Sequence, residues 1–500
     1  PSPPYPLDTG DTPQHFTLFP LSLGQILKEF SVTEMHLSLN SGKWDYIKWG
    51  YPDAVEEGVG TGAELWAWMA SDGHGGDEGV DARWTGLRNG LAGLFCASLT
   101  SMDDKRTTVP YSAFPLLGSL PSLDTSVQLR HASLPSENVC TENLTPFLKL
   151  LPCTSRSGIA QLLNSYKLFD ADWHGMGVHV FYHGGRTGKK GVEVRLTFQA
   201  VFDPVRLSSD HKRDWSLPSL FGRTIERGCP VARSSLVRVG LPMDGVPYAL
   251  SPDSHVVHKE EGVAVYDVQT TTPLDIGMVW PMERAFVPPL SPTPPPLCNS
   301  QKTPPVRATR KLTTSSQARG LLSAALQNTL DEDVQLLYTE TMPWLVTFYM
   351  HTLDVTLDGV PRPDLMRVLE YVPSSDARPT LLQAALRIPP KGTLRINMKV
   401  EKAFLKYTDH MPDAQRGWDL PPAILTLRGQ RGVGANSSHP ADEHGRAYIY
   451  TPALLVDLAT PDFSMPYNVI IMSCTLIALI FGSVFNLLTR RFLVVDVDLP

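Results

Sequence analysis

Apolar and polar positions change period several times along the first 200 residues. Residues 21–30 (LSLGQILKEF) place Leu23, Ile26, Leu27 and Phe30 on one helical face, which predicts a short helix. Residues 35–39 and 64–69 alternate like strands. From Asp81 onward, Trp84, Leu87, Leu91, Leu94 and Phe95 recur at helical spacing, predicting a second amphipathic helix that ends near Cys96. Ile159, Leu162, Leu163 and Tyr166 predict a third helix over residues 158–169. The clearest strand is 192–202 (VEVRLTFQAVF): Val192, Val194, Leu196, Phe198, Ala200 and Phe202 face one way, Glu193, Arg195, Thr197 and Gln199 the other. Such a strand belongs in an antiparallel sheet with one wet face.

Residues 284–320 are rich in Pro, Ser and Thr and read as an extended linker or large surface loop. Long strands are expected again at 344–357 and 394–405, then a flexible segment at 428–446 and a last strand near 448–458. Residues 469–488 (VIIMSCTLIALIFGSVFNLL) carry no charge. At ~1.5 Å rise per residue, a helix of this length crosses a hydrocarbon core of ~30 Å. Its polar side chains are Ser473, Thr475, Ser483 and Asn486, and hydroxyls can bond back to their own helix. Arg490 and Arg491 follow the run, whereas PDFSMPYN before it holds Asp462 and no base. The positive-inside rule then places the tail in the cytosol and the bulk of the chain on the far side of the membrane.

The fold class expected is mainly β with a few short helices, in β-sandwich-like lumenal domains, plus one C-terminal transmembrane helix. The division expected is an N-terminal lumenal α+β or β-rich domain (1–283), the Pro-rich linker or loop (284–320), a second β-rich lumenal domain (321–460), the juxtamembrane segment and span (461–489) and a cytosolic tail (490–500). The chain's 500 residues suit two or three domains, and its 44 prolines suit strands and loops better than helical bundles. A net charge of −7 with no basic run interleaved with aromatics argues against nucleic acid as a partner. The chain starts at Pro1 with no apolar signal core, so an export signal is expected to have preceded it.

Candidate chemistry is sparse. The Gly-rich stretch 56–66 (EEGVGTGAELW) suits a hairpin loop better than a phosphate cradle. His174, His179 and His183 lack a Cys, Asp or Glu at ligand spacing, so strand or loop histidines are expected and no metal or cofactor. No GxSxG elbow, HExxH or Walker loop is present, and no catalytic residue is nominated.

Cysteines are more informative. Cys474 lies in the apolar run, leaving Cys96, Cys140, Cys153, Cys229 and Cys298 in an oxidising compartment. An odd set leaves one free thiol or one bond to another protein. Cys140 sits among Glu137, Asn138, Thr141, Glu142 and Asn143, a polar and exposed setting; Cys153 follows the apolar LKLLP and suits an internal pair or buried thiol. Asn143 and Asn436 open N-x-S/T sequons, and Asn436, in a Gly- and Ser-containing stretch, is the better acceptor. Asp462, Tyr467 and Asn468 precede the span at headgroup level, where they form either a helix start or part of a ligand-lining segment.

Several stretches together resemble the PIG-T family of glycosylphosphatidylinositol (GPI) transamidase subunits. They are LFPLSLGQIL (18–27), GAELWAW (62–68), GLFCASL (93–99), VCTENLTPFLKLLPC (139–153), RDWSL (213–217), MPWLVTFYMHTL (342–353), LKYTDHMPD (405–413), TPDFSMPYNVI (460–470) and NLLTR (486–490). The resemblance implies a non-catalytic subunit of an endoplasmic-reticulum membrane complex that joins a processed protein C-terminus to a GPI lipid. It also implies that a cysteine-protease-like PIG-K subunit carries the nucleophile, and that Cys140 forms a disulfide to it. Residues 290–327 match the family only loosely. The alternatives from the residues alone are a stand-alone type I membrane receptor or cargo-binding protein of the secretory pathway, and a lumenal hydrolase.

Overall fold

Two largely buried strands start the first sheet. In a computed structural model, β1 (Val32–Asn40) and β2 (Gly62–Ala70) pair antiparallel with His36 opposite Trp66. The structure describes residues 19–52, 58–71, 76–118, 127–184, 190–208, 210–242, 245–260, 262–270, 273–283, 304–314, 316, 318–375, 378–406, 409–410, 416–427, 447–459 and 464–492. Around the first pair lie β3 (Thr107–Thr108), β4 (Val127–Leu134), β5 (Trp173–Gly184) and β6 (Lys190–Val201), in the order β3-β4-β2-β1-β5-β6 with antiparallel pairing throughout.

One face of this sheet follows the apolar pattern. Met35, Leu37, Leu39, Leu65 and Met69 pack under α1 (Leu21–Glu29), α2 (Gly76–Phe95) and α3 (Thr141–Lys149), which contribute Leu23, Trp84, Leu87, Leu91 and Phe147. The opposite face is polar yet also buried. Glu34, His36, Glu64 and His131 are each less than a tenth exposed. Their groups are paired accordingly: Glu34 accepts from the Leu117 and Gly118 N–H groups, and His36 Nε2 lies 3.2 Å from Glu34 Oε1.

This second face is covered by a β-sandwich. Its first sheet runs Val306–Thr314, Arg319–Asn328, Thr393–Lys402, Asp354–Leu357 and Val360–Pro361 in that spatial order. The second runs Met366–Val372, Thr380–Ile388, Val334–Met342, Ile424–Leu427 and Ala447–Tyr450. Leu326, Leu394 and Ile396 meet Leu336, Leu386 and Leu425 between them. The outer side of the second sheet places Leu337, Ile424, Tyr448 and Tyr450 against Trp66, Phe114 and Leu129 of the N-terminal region. A smaller core around Tyr266, Ile276 and Trp280 is built on two three-stranded sheets within residues 215–280.

Most long periodic segments form the element expected, and the differences have physical causes. The third predicted helix is split into a 3-10 turn, Ile159–Leu162, and one short helical turn, Ser165–Leu168. Leu162 belongs to the smaller core and Leu168 to the core under the first sheet, while Tyr166 is 89% exposed, so no single face is buried. The strand expected at 344–357 is interrupted by a 3-10 turn at Met350–Thr352, and the one at 448–458 by Pro452, which has no N–H to donate. Within the stretch read as a linker, Val306–Thr314 is a strand with Val306 buried, because alternation survives there despite the surrounding Pro and Thr.

The Gly-rich stretch lies against the sandwich. A Cβ on Gly58 would stand 2.5 Å from Tyr448 Cβ, and Gly62 begins β2 at φ +70 with the Leu134 carbonyl against its open side. Close backbone approach explains these glycines.

A second unit, residues 404–418 and 457–500, contains the C-terminal helix Ser464–Thr489. Its segment Tyr467–Thr489 is long and apolar enough to cross a membrane and is entirely uncovered. Ser473, Thr475 and Ser483 donate to the carbonyls of Val469, Ile471 and Leu479 at 2.7–2.8 Å, so these hydroxyls are satisfied within the helix.

The sandwich buries one ion pair completely. Arg310 donates to Glu340 and to the Pro421 carbonyl, and Tyr338 donates its hydroxyl to the same carboxylate. Burial pushes the Glu340 carboxyl up further than Arg310 and these bonds draw it down. Arg310→Met should therefore cost about 3–5 kcal/mol, because it strands a buried carboxylate, whereas Arg310→Met with Glu340→Leu should recover most of the loss. Urea unfolding of the single and double variants measures this; equal destabilisation of both would show that the stranded charge is not the cause.

Candidate functional site

Cys140 is the residue that caps α3. It has extended backbone angles, and the helix begins at Thr141. Asn143, three residues on, turns its side chain back: Oδ1 accepts the Cys140 N–H at 2.7 Å. The same amide donates through Nδ2 to the Phe95 carbonyl at 2.8 Å and the Cys96 carbonyl at 3.1 Å. Those carbonyls lie at the C-terminal end of α2, where a helix leaves acceptors without intrahelical donors. One carboxamide thus closes the end of α2 and the start of α3. Nearby, the Ser98 N–H donates to Glu137 Oε1 at 2.9 Å, joining the two chain segments a second time.

The thiols are distributed unequally around this junction. Cys153, just beyond α3, is bonded to Cys229 with their Cα atoms 6.0 Å apart. That internal pair ties the α3 region to the smaller core. Cys140 remains a half-buried free thiol, and Cys96 an exposed one. Cys474 is free in the C-terminal helix, and Cys298 lies outside the described residues.

Asn143 is buried at this junction. As a candidate glycan acceptor it is poorly placed in the folded chain, being 1% exposed with Nδ2 donating to two carbonyls. Asn436 lies outside the described residues, as does Asp462. Tyr467 and Asn468 are exposed on the first turns of the C-terminal helix, where the apolar segment begins.

The histidines divide between faces. His179 shares a hydrogen bond with His36, Nδ1 to Nδ1 at 3.0 Å, and His36 stacks on Trp66 with ring centroids 3.7 Å apart. His174 projects to the opposite face against Phe169, and burial lowers its pKa. The side chain of His183 lies outside the described residues. Among the described residues no three potential metal ligands come together.

A family model described as "Gpi16 subunit, GPI transamidase component" matches residues 7–214 and 204–499. The chain belongs to this Gpi16 family. Its relatives include the Homo sapiens "GPI-anchor transamidase component PIGT", 34% identical over 510 residues that cover 96% of this chain and 84% of the relative. The Schizosaccharomyces pombe "GPI transamidase component PIG-T homolog" is 34% identical over 494 residues, covering 95% and 83%. The Saccharomyces cerevisiae "GPI transamidase component GPI16" is 29% identical over 547 residues, covering 97% and 83%. This Gpi16-family chain is therefore a GPI transamidase component, a subunit of an enzyme complex with other subunits as its partners.

α3 itself was not anticipated from the residues of this Gpi16-family member. Pro146 inside the nine-residue segment argues against a helix, and its cost is offset by burial of Leu144 and Phe147 under the sheet. The available signal was the spacing of Cys140 and Asn143, which matches a capping box with unusual residues. Asn143→Ala should destabilise the chain by about 2–3 kcal/mol, since it leaves the Cys140 N–H and two carbonyls without their partner. Thermal unfolding of the Ala variant tests this, with Thr145→Ala, which removes the sequon but keeps Asn143, as the control. Equal loss in both variants would point to a missing glycan and against the amide bridge.

Proposed function

We propose that this transamidase component is the non-catalytic scaffold of its complex, and that it holds a PIG-K-like cysteine-protease subunit through a disulfide from Cys140. The observation that carries the reading is the state of the cysteines at the α2–α3 junction. Cys153 is already spent on Cys229, whereas Cys140 is unpaired, half-buried and held in place by Asn143. A thiol set at a rigid helix start suits a bond to another chain better than a mobile one does, because less freedom is lost on joining. The buried acids support a structural role: Glu34, Glu64 and Glu340 are each engaged by neighbouring donors.

Cys140 then raises the local concentration of the partner and contributes no chemistry of its own. Cys140→Ser should lower GPI attachment without abolishing it. A reductant-sensitive heterodimer in the wild type should vanish from non-reducing gels of the variant; a heterodimer that persists would assign the bond to another cysteine.

In the same reading the chain is a single-pass type I protein of the endoplasmic-reticulum membrane. Arg490 and Arg491 follow the helix on the cytosolic side, and the β-rich bulk is lumenal. Asp462, Tyr467 and Asn468 then stand at headgroup level, where a GPI glycan would be presented to the complex. Family membership in an enzyme complex favours this over a stand-alone receptor. Asp462→Ala combined with Asn468→Ala should reduce GPI attachment several-fold at unchanged subunit levels, measured by surface display of a GPI-anchored reporter. Full activity of the double variant would reduce the segment to a helix start.

A further inference from the structure

Cys96 has no role in the reading above, yet it lies at the same junction as Cys140. A single amide, that of Asn143, spans from the Cys140 N–H to the Cys96 carbonyl. Glu137, on the other side of Cys140, receives the Ser98 N–H, so the chain at Cys96 is tethered on both sides to the chain that carries Cys140. Cys96 itself has φ +54, a left-handed conformation that usually belongs to glycine at the end of a helix. This turns it out of α2, and its side chain is exposed. Both thiols are unpaired.

We propose that Cys96 is the resolving thiol for Cys140, so that the bond to the partner subunit can be released by exchange. The inference rests on the reading that Cys140 carries that bond. The Cys96 thiolate attacks Sγ of Cys140, the Cys96–Cys140 bond forms, the bond from Cys140 to the partner breaks, and the partner's sulfur leaves as a thiolate. The proton lost by Cys96 is taken up by that leaving thiolate. One disulfide replaces another, so neither an oxidant nor a reductant is consumed. The reverse attack, by the partner's thiolate on Cys140, restores the inter-subunit bond. The junction is thereby a two-position latch: cross-linked to the neighbour, or closed on itself.

Tryptic digestion without reduction resolves the two states, since Cys96 falls in peptide 89–105 and Cys140 in peptide 131–149. The intact complex, purified in mild detergent, is incubated at pH 8 under argon with and without oxidised glutathione, quenched with N-ethylmaleimide and analysed by mass spectrometry. The 131–149 peptide joined to a partner peptide should fall, and the 89–105/131–149 pair should rise by the same amount. Cys96→Ser and Cys96→Gly should both abolish that pair and hold the inter-subunit bond constant; the glycine variant suits the left-handed backbone. If peptide 131–149 is joined to the partner and the 89–105/131–149 pair never appears, even with oxidised glutathione, the latch is refuted while the role of Cys140 stands. If 131–149 is never joined to a partner peptide, both readings fall.

Discussion

The join between the N-terminal sheet and the sandwich depends on two tyrosines of one short strand. Tyr448 and Tyr450 lie between Trp66 and Phe114 on one side and the sandwich on the other, and both hydroxyls find partners across the gap. Tyr450 donates to Glu64 at 2.6 Å, and the same carboxylate lies 2.9 Å from His131. Tyr448 donates to the Ala113 carbonyl at 3.0 Å. Burial and the charge of Glu64 hold the Tyr450 hydroxyl well above its ordinary pKa, so it remains a donor at any physiological pH. A buried carboxylate with two partners is tolerated where an unpaired one would not be. This contact makes the polar face of the first sheet an internal surface. It also requires Gly58 to pass close beside Tyr448.

The helical side of the same sheet works by different physics. There the apolar stripes of α1, α2 and α3 supply the burial, and the polar work is concentrated at helix ends. Asn143 meets the acceptors of one helix and the donor of another with a single side chain. The Cys153–Cys229 disulfide fixes the exit of α3 to the smaller core. Cys140 lies between these two constraints. Cys96 shares the constraint because its carbonyl is part of it.

Buried ionisable groups in both β-rich regions are matched by neighbouring donors and acceptors. The Glu34–His36–His179 group joins neighbouring strands of the first sheet, and the Arg310–Glu340–Tyr338 group joins the two sheets of the sandwich. The C-terminal helix satisfies most of its hydroxyls internally and presents an apolar surface along its length, as a membrane anchor must.

Periodicity alone was enough for α1, most of α2, β1, β2, β6 and the 393–402 strand, because the period in each is unambiguous. The apolar run at 469–488 was equally legible, since hydrocarbon demands an uninterrupted stretch of one chemical kind. The odd cysteine count left one thiol over, but both Cys96 and Cys140 are unpaired among the described residues, and Cys140, read from its polar neighbours as exposed, is half-buried. Tertiary structure decided what depends on residues distant in sequence. Nothing near Glu64 indicates that a tyrosine 386 residues later reaches its carboxylate, and nothing near Glu34 points to the N–H groups of Leu117 and Gly118, so their burial was illegible. The pairing of Cys153 with Cys229, 76 residues apart, could not be chosen from among the possible pairs. Asn143 reads locally as a glycan acceptor and is in fact a bracket between two helices, because the carbonyls it meets come from residues 95 and 96. Local pattern determines which face of an element is apolar; only the packed chain determines what lies against the other face.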